Sequence, residues 1–156
     1  MLNGRIPNYE DIPNLKYTEM IIKESMWMIP PVWGIGREPL EDDEIDGYFI
    51  SAGTTIDIPI YTMHHHPDYW EKPEVLIPER FSPDNGAPKV KHTYFPFGAG
   101  PRKCIGNNFA MMEAQIVLAI IGQKYDLTLV PGQKVEFSAG VTLRPKHDLM
   151  MNINLK

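Results

Sequence analysis

Cys104 is the only cysteine of the chain, and it sits inside the stretch Phe97-Gly98-Ala99-Gly100-Pro101-Arg102-Lys103-Cys104-Ile105-Gly106. Directly after it, Asn107 to Ile121 has the length and composition of a helix, so the thiol stands just before a helix N-terminus. Unpaired backbone N–H groups and the positive end of the helix dipole favour an anion there. Arg102 and Lys103 add positive charge beside it. Such surroundings favour the thiolate, which is the form that binds metal. Gly98, Gly100 and Gly106, with Pro101, predict a tightly bent loop that holds the sulfur in place.

A lone cysteine is often no more than a small buried hydrophobe. That reading leaves the glycines and the paired cations without a purpose. Structural zinc needs four ligands, and one sulfur without a nearby partner does not supply them. A single axial thiolate on haem iron needs only one cysteine. Phe97, Gly100, Arg102, Cys104 and Gly106 fill the pattern F-x-x-G-x-R-x-C-x-G, and here the chain resembles the cytochrome P-450 family, whose haem-binding signature this is. The resemblance extends from Asp11 to Lys156 and corresponds to the C-terminal, proximal haem-side portion of the family fold. It implies a mixed architecture, mainly α with small β-sheets, and one partial domain over residues 1–156.

The elements that must position the cysteine come next. Tyr17, Met20, Ile21, Glu24, Trp27 and Met28 recur at i, i+3, i+4 spacing and predict a helix over 17–28, ended by Pro30 and Pro31. Glu24 falls among large apolar side chains. On pattern alone it is either an edge-exposed glutamate or a buried carboxylate that needs a cation. The resemblance implies the second, because family members carry E-x-x-R on this helix and join it to the arginine of a later P-E-R-F segment. Glu24 and Pro78-Glu79-Arg80-Phe81 match that network, whereas the position that should be arginine is Trp27. An indole donates one N–H where a guanidinium donates five. The sequence therefore leads us to expect that Trp27→Arg regains roughly 1–3 kcal/mol of a buried-pair interaction. One base can separate Arg and Trp codons, so a degenerate gene copy fits the substitution.

Arg37 follows this helix and is either a surface arginine or, by the resemblance, a partner of a haem propionate. Leu40 to Ile45 reads as an acidic turn ending at Asp46-Gly47, and Tyr48–Ile50 and 55–60 read as short strands around Ala52-Gly53. His64, His65 and His66 are consecutive, so they do not project to one face and make a poor chelate. Residues 82–93 read as a loop with Pro83, Gly86 and Pro88 as breakers. The helix after the cysteine is apolar nearly all round and is expected to be buried on most sides. After it come strands at 126–130, 135–137, 141–143 and 149–155, with a hairpin tip near Gly140.

Composition bounds the partners. The chain has 156 residues, 43% of them hydrophobic and 22% charged, as expected of a globular domain. A formal charge of -5 argues against nucleic acid, and no apolar run approaches the roughly 20 residues needed to span a bilayer. No signal-peptide pattern is present, and one cysteine cannot form an intrachain disulfide, so a cytoplasmic location is expected. Membrane association through a further N-terminal part stays open.

The resemblance implies haem b (iron protoporphyrin IX) as cofactor, with Cys104 as the axial iron ligand. It implies Arg102 and Arg37 on the propionates, Phe97, Gly100 and Gly106 shaping the loop, and Glu24 with Arg80 as a structural ion network. It implies a monooxygenase acting on a lipophilic organic substrate, supplied with electrons by a donor protein or fused reductase. The helix that handles oxygen and protons in the family has no counterpart here, so no catalytic residue is assigned. The chain is then a truncated gene product or one piece of a larger protein. Two other readings stand beside it: an inactive haem-binding remnant, and an α+β interaction module in which the cysteine loop is coincidence.

Overall fold

A computed structural model describes residues 2–85 and 90–156. Gly86 and Pro88, read as loop breakers, lie outside the described residues. The chain enters through a 3-10 helix, Tyr9–Asn14, capped by Asn8, whose side chain accepts from Glu10 N–H while the Asp11 carboxylate accepts from Asn8 N–H. Asp11 is buried and also pairs with Arg5.

Helix α1 spans Lys16–Met28 and ends where Pro30 and Pro31 remove the next N–H donors. Its spacing works as the sequence predicts: Glu24 and Trp27 are fully buried, while Tyr17 at the start of the stripe is exposed. Trp27 packs with Trp70 and Phe81, and Met20, Met28 and Tyr94 close around them. This aromatic knot is the main apolar core. Helix α2 is short, Ile60–His64, and buries Ile60 and His64. A 3-10 turn, Pro78–Phe81, lies against α1 and carries Arg80.

Among the described residues the strands form four separate antiparallel pairs. β1 (Ile35–Arg37) pairs with β4 (Ile56–Ile58), placing Arg37 opposite Ile56. β2 (Asp43–Ile45) pairs with β3 (Tyr48–Ile50). Asp46 and Gly47, with φ of 51° and 81°, make the two-residue turn between them, a geometry that matches strand twist. This corrects the sequence reading in two places. Leu40–Ile45 is not all turn, and the two strands foreseen from 48 onward pair with other partners rather than with each other. The acidic composition of 41–44 hides a strand that is exposed at every position. β5 (Tyr125–Leu129) pairs with β8 (Met151–Leu155), and β6 (Phe137–Ala139) with β7 (Leu143–Pro145).

Helix α3, Asn107–Lys124, is apolar as foreseen, but within this chain it is not buried on most sides. Only Gln115 is buried, and Phe109 and Val117 remain 63% and 48% exposed. The reason is a shortage of neighbours: α1 and the 9–14 turn cover one side of it, and β5 only its end. Among the described residues no helix is long and apolar enough to cross a membrane.

Candidate functional site

The cysteine loop is held by its own backbone. Gly98 N–H donates to Phe95 O at 2.9 Å, Lys103 N–H to Gly100 O at 3.1 Å, and Cys104 N–H to Phe97 O at 2.9 Å. Gly98 and Gly100 take φ of 71° and 69°, the left-handed region that glycine enters without steric penalty. Gly106 behaves differently from its sequence reading. Its φ of -84° is open to any residue, and it serves as the N-cap position of α3. A Cβ there would stand 3.9 Å from Cys104 Sγ, an ordinary van der Waals contact.

Cys104 is exposed, as are Arg102 and Lys103, and Ile105 is entirely so. Cys104, Arg102, Arg37 and Phe97 line one cleft of about 350 Å³, whose other walls are Met26, Pro31, Val32, Ile35, Pro96 and Gly98. The structure thus brings two arginines more than sixty positions apart in sequence to the cleft that a soft sulfur donor also lines. Arg37 reaches this place from β1, with Nη1 donating to Gly36 O at 2.7 Å.

Glu24 and Arg80, which the resemblance joins, are in contact. Arg80 Nε donates to Glu24 Oε2 at 3.3 Å, and Ile77 N–H donates to Oε1 at 2.7 Å. Burial pushes the Glu24 carboxyl above the usual carboxylate range; the Ile77 N–H and Arg80 pull back against it. Arg80 also donates from Nη1 to Glu71 O at 2.7 Å, which ties the segment around Trp70 to the network. Trp27 lies in the same knot: the Arg80 guanidinium sits 4.3 Å from its ring centroid, and the His65 ring stacks 5.3 Å away on it.

The consecutive histidines go three ways. His65 stacks between Trp27 and Tyr61, and His66 lies against Tyr69 near Asp68. His64 is fully buried, with Nδ1 3.2 Å from Trp27 O and Nε2 3.2 Å from Phe95 N. Sequence reasoning missed this residue, since its partners are backbone groups at distant positions. Desolvation lowers the His64 pKa from 6.5 to about 4. The unfolded chain therefore binds more protons than the folded one between those values, and this residue's contribution to stability falls as pH drops from 6.5 to about 4. Glu24 acts in the opposite sense, because its raised value stabilises the fold at low pH and loses that stabilisation as pH rises. Comparison with His64→Gln separates the two. The denaturation midpoint of the native chain relative to the variant should decline across that window; a constant difference would contradict the assignment.

A sulfur donor, two cations and an apolar cleft on a glycine-bent loop define a site of the haem-thiolate class. The comparisons agree. A sequence model of the cytochrome P-450 family matches residues 1–151. The chain is 42% identical over 149 residues to a cytochrome P-450 designated 132 from Mycobacterium tuberculosis, covering 94% of this chain and 32% of that protein. It is 39% identical to the chloroplastic carotene epsilon-monooxygenase of Arabidopsis thaliana, covering 99% of this chain and 29% of that protein. It is 36% identical over 137 residues to cytochrome P-450 3A18 of Rattus norvegicus, covering 88% of this chain and 27% of that protein. The chain belongs to the cytochrome P-450 family, and it spans about a third of the length of the curated relatives it matches.

The family's prosthetic group fits the residues present. An iron needs one soft donor, and Cys104 is exposed and lines the cleft. Two peripheral carboxylates need cations, and Arg37 and Arg102 line that cleft. A flat apolar ring needs apolar walls, and Pro31, Val32, Ile35 and Phe97 provide them.

Proposed function

We propose that the chain forms the proximal, C-terminal part of a haem-thiolate monooxygenase, a partial domain over residues 1–156, that oxidises a lipophilic organic substrate. The observation that carries this is the convergence of Cys104, Arg37 and Arg102 on one apolar cleft. Haem, when bound, supplies reductive activation of dioxygen, with one oxygen atom passing to the substrate and the other leaving as water. The chain's own residues do the rest. The Cys104 thiolate would hold the iron and supply electron density to it, on a loop whose Cys104 N–H donates to Phe97 O. Arg37 and Arg102 would pair with the propionates and orient the ring. Ile35, Val32 and Phe97 would keep water from the proximal side, and Glu24 with Arg80 fastens the segment around Ile77 to α1.

Electrons come from a donor protein or a fused reductase, with Lys103 among the cations available for docking. The apolar, half-exposed α3 supports a larger assembly, because the faces it leaves open are those that the remaining two thirds of a relative's length would cover. A cytoplasmic location accords with the single cysteine. In the second reading the chain is an inactive haem-binding remnant, in which Trp27 stands at the position that the resemblance gives to arginine. Adding haem to the purified chain and reducing it under carbon monoxide tests the proposal. We expect a thiolate-type spectrum without hydroxylation of a fatty acid, since the proximal part alone leaves the opposite face of the ring to water. Failure to bind haem would overturn the assignment of the cleft, and turnover by the chain alone would overturn its reading as one part of the enzyme.

A further inference from the structure

His64 occupies a place that the haem reading does not explain. It ends α2, it has no solvent exposure, and both its ring nitrogens meet backbone groups. Phe95 N–H can only donate, so Nε2 accepts its proton at 3.2 Å. Nδ1 must then carry the ring's one hydrogen and donate to Trp27 O at 3.2 Å. The Trp27 carbonyl needs such a donor. It lies in the last turn of α1, and the residue four positions on is Pro31, which has no N–H.

The other end of the contact leads to the cysteine. Phe95 O accepts from Gly98 N–H at 2.9 Å, and Phe97 O accepts from Cys104 N–H at 2.9 Å. The His64 ring also stacks on Tyr94 at 5.3 Å and stands edge-on to Phe95 at 5.8 Å. Tyr94 in turn donates from its hydroxyl to Lys23 O at 3.2 Å, so the stem 94–97 is fastened to α1 twice. One imidazole therefore links the end of the helix that carries Glu24 and Trp27 to the strand of chain that sets the cysteine loop.

We propose that His64 is a positioning residue for Cys104: as the neutral Nδ1–H tautomer, it clamps the stem of the cysteine loop to the C-terminal end of α1. The functional meaning rests on reading Cys104 as the haem ligand; the clamp itself does not. Low proton affinity supports the role, because burial keeps Nε2 free to accept.

The test uses readouts that need no haem. Cys104 is the sole cysteine and is exposed, so its alkylation by iodoacetamide reports the loop alone. Amide exchange at Phe95 and Cys104 reports the clamp, and exchange in the β5–β8 pair reports general stability. In the full chain, His64→Phe keeps a ring against Tyr94 and removes both hydrogen bonds. We expect exchange at Phe95 and Cys104 to rise about tenfold or more and alkylation of Cys104 to rise several-fold, with β5–β8 unchanged. His64→Gln, whose amide oxygen can accept from Phe95 N–H, should recover part of the protection. Unchanged exchange at Phe95 and Cys104, or a rise of equal size in β5–β8, overturns the proposal. If the phenylalanine chain does not fold, His64→Gln against the native chain decides by the same three readouts, with partial loss confined to the loop expected. A chain that binds no haem but shows the clamp leaves this inference standing and removes only the haem reading.

Discussion

Cys104→Ala will abolish thiolate ligation of haem and lower haem affinity by well over the ~100-fold that loss of a supporting residue around a metal ligand causes. No other cysteine exists in the sequence to replace it. The neighbouring histidines do not substitute: His64 spends both ring nitrogens on backbone groups, His65 is stacked on Trp27 and Tyr61, and His66 lies against Tyr69. Among the described residues no cluster of three or more His, Cys, Asp or Glu is placed to hold a metal. The loop itself should survive, because the alanine keeps the N–H that donates to Phe97 O. The measurement is the absorption of the reduced carbon monoxide complex, taken in the native and substituted chains at equal haem. A thiolate-type band persisting in the Cys104→Ala chain would sink the ligand assignment. Cys104→Ser refines the result: it preserves shape but offers a hard oxygen donor, so weak haem binding with a shifted band is expected.

That cysteine was legible because its neighbours are informative in themselves. Glycine at 98 and 100 marks left-handed backbone, and the structure places both there. Helix α1 was legible from its apolar spacing and its terminal prolines, and the contact of Glu24 with Arg80 from the resemblance that joins two distant motifs. What stayed hidden depends on pairing across distance. β2 is acidic and exposed, so it carries no alternating apolar signal, and its pairing with β3 follows from a turn rather than from a core face. The convergence of Arg37 with Cys104 depends on β1 being paired to β4, which no local pattern specifies. His64 was hidden more deeply. Between two other histidines it looks like a polar run, and its task is set by a carbonyl that Pro31 leaves unpaired and an amide next to Pro96. Gly106 carried a signal that the structure does not use, since its backbone is ordinary and a Cβ there would make only an ordinary contact with the sulfur.

Trp27 decides whether the departure from E-x-x-R is damage or design, and the structure gives Trp27→Arg the opposite sign from the sequence expectation. The indole is fully buried. Arg80 lies 4.3 Å over one part of its ring system and His65 stacks at 5.3 Å, while Trp70 tilts against it at 5.2 Å. A cation over a desolvated indole face is worth about 2 kcal/mol, so Arg80 has gained a neutral partner in place of a second arginine. Glu24 is not short of donors either, because Ile77 N–H and Arg80 Nε already occupy its two oxygens. An arginine at position 27 would bring a second positive charge beside Arg80 with only one carboxylate to offset both, and it would vacate space that the indole now fills against His65 and Trp70. Strain and an underpaired buried charge each act against it. The indole carries one flaw: its Nε1–H is buried without a hydrogen-bond partner. An unmet donor of that kind costs about 1–3 kcal/mol, which is the most that a better residue could recover there. We therefore expect Trp27→Ala to lose about 3–5 kcal/mol, as large-to-small changes in aromatic cores do. Trp27→Phe should lose less, because it removes the unpaired N–H together with part of the ring. Trp27→Arg should denature at lower denaturant concentration than the native chain. Midpoints of the four chains under one set of conditions settle the order. A Trp27→Arg chain as stable as the native one, or more so, would mean that the aromatic knot has not adjusted to the indole, and the degenerate-copy explanation would stand.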